Sequence, residues 1–152
     1  MTVRLAHPIG LICAFTWLGF VCAISFMEAW LKFKAHGVTL PIGLGIGRLV
    51  FQALNKVEWI LAIAILVDVL WKRGITRHAL IIMAPVILLA LQTFWLLPVL
   101  DERALQVIHG QGAGTSNTHF MYVAFEIVKV TMLAIFGIGL FKTEPPLARV
   151  QT

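Results

Sequence analysis

The chain has 152 residues, of which 60% are hydrophobic and only 12% charged, with a mean hydropathy of +0.93. A water-soluble domain of this length needs far more polar surface, so a soluble globular fold is excluded and a single helical membrane domain is expected. The net charge is +5, but the cations gather at the ends of apolar runs, where membrane topology and anionic head groups account for them and nucleic acid does not.

Residues 1–7 form a short head with Arg4 and His7, and Pro8 suits the first turn of a helix. The first span is expected over 8–30. Its apolar run is too long for a signal peptide and no small-residue cleavage site leads into a polar domain, so it reads as retained. Cys13 and Cys22 stand nine residues apart on it, about 13.5 Å along the axis at ~1.5 Å per residue, too far to pair. A connector carrying Lys32, Lys34 and His36 leads through Pro41 to Gly43, Gly45 and Gly47. These glycines suit close helix packing; with no preceding strand they are no phosphate loop.

The second span is expected over 45–71, and Lys72, Arg73 and Arg77 make a basic loop after it. The third covers 78–97, with Pro85 as a kink and Pro98 closing or bending it. Residues 101–109 read as a short surface helix stopped by Gly110. A Gly- and Ser-rich loop follows. Ser116, Asn117 and Thr118 each offer a cap for the fourth span, expected over 118–141 and ended by Lys142 and Pro145-Pro146.

The expected fold is therefore all-α: an integral membrane four-helix bundle, multi-pass in the cell membrane. Arg4, Lys72, Arg73, Arg77, Lys142 and Arg149 fall on one side, whereas the other carries Lys32, Lys34 and Arg103, diluted by Asp101 and Glu102. The excess of cations puts both termini in the cytoplasm.

On that topology the polar residues cluster toward the outer side. Arg48, Gln52, Asn55 and Glu58 form a stripe about 120° wide on the second helix; His119, Tyr122, Glu126 and Lys129 form one about 80° wide on the fourth. Glu28, Gln92 and Asp101 add to the same end, while the inner halves hold little besides Asp68. Ionisable groups at membrane depth normally face protein or water. The expectation is an outward polar pocket, with Glu28, Arg48, Gln52, Asn55, Gln92, Asp101 and His119 as ligand-binding groups for a small or lipophilic solute. In an enzyme, Glu58 or Glu126 would be the acid or base, with Lys129 and Tyr122 stabilising developing charge. The plainer alternative is a buried salt-bridge network in which Glu28, Glu58 and Glu126 meet Lys32, Lys56 and Lys129 and hold the helices in register. There is no Glu-x-x-His pair and no His-x-x-x-His, so no metal site is assigned. The residues name no cofactor. The bilayer is the expected partner, and association with further copies of the chain stays open. A faint internal repeat relates Asn55-Lys-Val-Glu58 to Glu126-Ile-Val-Lys129, as though the two hairpins were parallel copies.

Two families share short motifs with the chain. Phe94-Trp-Leu-Leu-Pro-Val-Leu-Asp-Glu-Arg-Ala104, followed by a polar helix and a last span beginning near His119, resembles the family typified by transmembrane protein 205. That resemblance implies a small four-helix membrane protein without an established activity. Arg48 followed by Asn55-Lys-Val-Glu58 is similar to the second helix of membrane-associated glutathione transferases and their eicosanoid-pathway relatives. This second resemblance implies glutathione held by Arg48, Asn55 and Glu58 at a trimer interface, although the family's further arginines are missing.

Overall fold

The structure, a computed structural model, describes residues 3–5, 7–71, 77–111 and 117–143. It is helical apart from one small ribbon. Helix α1 runs Pro8–Lys34, α2 Leu40–Trp71, α3 spans 77–108 and α4 Thr118–Gly139. Within these, Pro8–Lys34, His78–Ile108 and Thr118–Gly139 are each long and apolar enough to cross a membrane. The longer α2 carries Arg48, Lys56, Glu58 and Asp68. Two three-residue strands, β1 (Val3–Leu5) and β2 (Phe141–Thr143), form an antiparallel pair, with Arg4 opposite Lys142. The basic loop at 72–76, the linker at 112–116 and the tail beyond 143 lie outside the described residues.

Two helices differ from the expected pattern in the same way. In α1 the segment Cys22–Glu28 is wound as π-helix, as is Gln92–Leu96 in α3. Such a turn takes in extra residues and rotates the face that follows it. It also explains why α3 does not stop at Pro98. A proline inside an α-helix lacks a donor and clashes with the carbonyl four residues back. Pro98 instead sits in the first turn after the π segment, where the wider winding loosens that requirement. The helix expected at the surface over 101–109 is thus the direct continuation of α3. The α2 helix begins at Leu40, earlier than expected, with Pro41 in its first turn. Gly110, just past α3, has φ 75°, the left-handed conformation that glycine adopts without steric cost.

Helix α1 packs against α2 and α4, and α3 packs against the same two. The apolar core occupies the half nearest the termini, where Ala14, Ala62, Ile65, Ile82, Leu133 and Phe136 are buried together. At the end of that core, Asp68 reaches across from α2 and its Oδ2 accepts the Gly10 backbone N–H at 2.8 Å. His7 lies alongside, with Nδ1 3.2 Å from the Asp68 carbonyl oxygen and 3.6 Å from Oδ2. A carboxylate here satisfies a first-turn N–H of α1 and meets the positive end of its dipole. Asp68→Ala is expected to lower stability by about 1–2 kcal/mol. Thermal unfolding in detergent would show this against Val67→Ala, whose side chain is exposed and whose loss should change little.

Candidate functional site

The two polar stripes do meet toward the end away from the termini, but they divide into two layers. The upper layer lines a cavity of about 450 Å³. Its wall takes Lys32 and Phe33 from α1, Arg48, Phe51, Gln52, Asn55 and Lys56 from α2, Thr93, Leu97 and Asp101 from α3, and His119 and Tyr122 from α4. Arg48 holds Asp101 through two parallel bonds, Nε to Oδ1 at 2.5 Å and Nη2 to Oδ2 at 2.8 Å, and Gln52 Nε2 adds a third at 3.3 Å. Both side chains of the ion pair remain about a third exposed, so the pair fixes geometry more than it adds stability.

Below Arg48, Asn55 donates to Thr93 Oγ1 at 2.8 Å and Trp59 Nε1 donates to the same oxygen at 3.0 Å; Thr93 in turn donates to the Leu89 carbonyl at 2.7 Å. On the α1 side the Lys32 side chain is only 9% exposed. Its ammonium lies 3.2 Å from Glu28 Oε2 and between the rings of Phe33 and Phe51, 5.6 and 5.5 Å from their centroids. Gly47 makes room for it, since a Cβ there would stand 2.9 Å from Lys32 Nζ.

The lower layer is sealed. Glu58 is 1% exposed, and Glu126 and Lys129 are fully buried. Lys129 Nζ stands 2.5 Å from Glu58 Oε1 and 3.1 Å from Glu126 Oε1, and it donates to Gln92 Oε1 at 2.6 Å. Its three N–H bonds therefore have three acceptors. Gln92 returns a bond from Nε2 to Glu126 Oε1 at 2.8 Å, and Trp17 Nε1 donates to Glu58 Oε1 at 2.7 Å. One connected cluster so ties α1, α2, α3 and α4 together.

Comparison with protein-family models, curated proteins and solved structures returns no match. The reading of the site therefore rests on its geometry. Of the expected ligand-binding residues, Arg48, Gln52, Asn55, Asp101 and His119 line the cavity. Gln92 does not: the π turn faces it into the sealed cluster, where it is 1% exposed. Glu28 also lies off the cavity wall, because it turns to Lys32 one helical turn on. Of the expected acid–base residues only Tyr122 reaches the cavity, its ring edge-on to Phe51 with centroids 5.4 Å apart. Glu58, Glu126 and Lys129 are withheld from it by their own pairing.

The salt-bridge alternative is redrawn as well. Lys129 meets both Glu58 and Glu126, Lys32 meets Glu28, and Lys56 stands exposed at the cavity wall. Arg48, Asn55 and Glu58, the residues on which the glutathione-transferase resemblance was drawn, are engaged with Asp101, Thr93 and Lys129. Among the described residues no group of three or more His, Cys, Asp or Glu side chains is placed to hold a metal ion.

Sequence reasoning missed Trp17, Ser25, Thr93, Phe33 and Phe51, and reached Lys32 only as a salt-bridge partner. Trp17 is one of five tryptophans, and nothing in its neighbours distinguishes it from a packing residue. Thr93 is adjacent to Gln92, and only the π turn brings both to useful positions. Lys129→Met is expected to lower stability by roughly 3–5 kcal/mol, because it removes the one cation from a buried pair of carboxyl groups. Asn55→Ala, which breaks one bond at the cavity edge, should cost about 1 kcal/mol. Unfolding in mixed detergent micelles would check the contrast.

Proposed function

We propose that this chain is a multi-pass membrane protein, a four-helix bundle with both termini in the cytoplasm, which binds a small or lipophilic solute in an outward-facing pocket. The observation that carries the reading is the cavity itself. At about 450 Å³ it falls in the range of small-molecule sites. Its walls are largely apolar, from Phe33, Leu44, Phe51, Leu97 and Leu100, with a few polar groups at set positions. This is the usual composition of a pocket that takes up an apolar body and orients it by a handful of contacts. Support for this orientation comes from the excess of cations that the sequence places on the side of the termini, Arg4, Lys72, Arg73, Arg77, Lys142 and Arg149.

Passage of the solute across the membrane, as in a transporter or resistance protein, builds on the same pocket. The acid–base enzyme has less support, since three of its four residues lie beneath the pocket floor. The sealed cluster favours a structural role for Glu58, Glu126 and Lys129, namely holding four helices in one register.

A cavity-filling variant separates these readings. Ala104 lines the pocket. Purified protein is expected to be stabilised against heat by at least one member of a panel of amphiphiles, comprising neutral alcohols, fatty acids and aromatic amines. Ala104→Trp should retain its own melting transition and lose that stabilisation. Equal stabilisation of both proteins would remove the pocket from the account.

A further inference from the structure

The sealed cluster does not balance. It holds two carboxylates, Glu58 and Glu126, against one ammonium, Lys129, with all three side chains at most 1% exposed. The titratable groups facing Glu126 are Glu58 from α2 and Lys129 and Tyr122 from α4. The helices α1 and α3 contribute neutral groups, Trp17, Ser25 and Gln92. With every group in its ordinary state the cluster carries one uncompensated negative charge. An unpaired charge away from water costs several kcal/mol, and such sites neutralise by taking up a proton. Two carboxylates sharing one site cannot both remain ionised at small cost.

Glu58 Oε1 accepts from Trp17 and from Lys129. Glu126 Oε1 also accepts twice, from Gln92 and Lys129. Its second oxygen, Oε2, is buried and has no hydrogen-bond partner among the described residues; Ser25 Oγ is in the same condition. The Tyr122 hydroxyl faces both residues. A carboxyl O–H at Oε2 turns that atom into a donor beside two hydroxyl oxygens able to accept.

We propose that the cluster is a proton-binding site, in which the Glu58 and Glu126 carboxyls together hold one proton and exchange it with the pocket past Tyr122. In the exchange the carboxyl O–H bond breaks, the proton joins water in the pocket, and the carboxylate keeps the electron pair. Tyr122 belongs to both layers: it lines the cavity and lies against Glu126. The inference stands on the charge count and is independent of which solute, if any, the pocket takes.

Infrared spectroscopy of the purified protein at neutral pH, in a detergent without carbonyl groups, tests it directly. The wild type is expected to show a protonated-carboxyl C=O band. Glu126→Gln should lose the band, and so should Glu58→Gln, because removing either charge leaves Lys129 balanced by the other carboxylate. Lys129→Met should raise it about two-fold, since both carboxyls must then be neutral. In Tyr122→Phe the band should remain while its shift on transfer to deuterated water slows. A wild type without the band, or a band that survives in both Gln variants, overturns the site. An unchanged exchange rate in Tyr122→Phe overturns the route. If Lys129→Met fails to fold, the wild type and the two isosteric Gln variants decide the matter.

Discussion

The fold depends on one ammonium group. Lys129 Nζ donates to side chains on α2, α3 and α4, and through Glu58 it is joined to Trp17 on α1. Between helices in an apolar medium the hydrophobic effect does little, because lipid chains are as apolar as the side chains they would replace. Association then rests on packing and on polar contacts whose alternative is an unsatisfied group. A fully buried lysine with three acceptors on three helices is a strong form of that constraint. It sets the helices' depth relative to one another as well as their rotation, since sliding any one by a turn would remove an acceptor by about 5.4 Å.

That constraint also creates the pocket. The cluster draws the four helices together at its own level. Above it the side chains thin out: Gly43 and Gly47 on α2 leave space that Phe33 and Lys32 enter from α1. The Arg48–Asp101 bridge spans α2 and α3 at the cavity wall. The two π segments contribute in the same place. One carries Ser25 toward Tyr122, and the other turns Gln92 inward while Thr93 faces Asn55 and Trp59. A π turn disturbs regular hydrogen bonding, and both lie where polar side chains are aimed at the site.

Much of this was legible in the sequence, for a physical reason. A helix has a fixed angular period, so Arg48, Gln52, Asn55 and Glu58 share one face and His119, Tyr122, Glu126 and Lys129 another, and ionisable groups at membrane depth turn toward protein or water. Angle, however, does not give depth of burial. Nothing in the spacing separates Asn55, on the cavity wall, from Glu58, beneath it. The choice of Lys129 over Lys56 as partner for Glu58 depends on which side of α2 faces α4, and that is a tertiary fact. The π turns leave no mark on the apolar pattern, so the sequence points Gln92 to the open pocket and lets Pro98 either close or bend the third span. Asp68 stood out as the lone acid of the inner half, yet its role at the start of α1 requires knowing that the two helices adjoin.

The apolar layer between the cluster and Asp68 has an electrical meaning. Ala14, Ala62, Ile65, Leu133 and Phe136 are buried there together, and Asp68 is ten residues beyond Glu58 along α2, about 15 Å at ~1.5 Å per residue. In a bilayer this slab is an insulator, whereas a hydrated pocket conducts. In the proposed orientation the membrane voltage would drop chiefly across the slab, leaving Glu126 at nearly the potential of the outer solution. A charge passing between pocket and cluster does almost no work against the field. One carried on from the cluster to Asp68 and His7 would cross most of it, at about 2.3 kcal/mol per 100 mV.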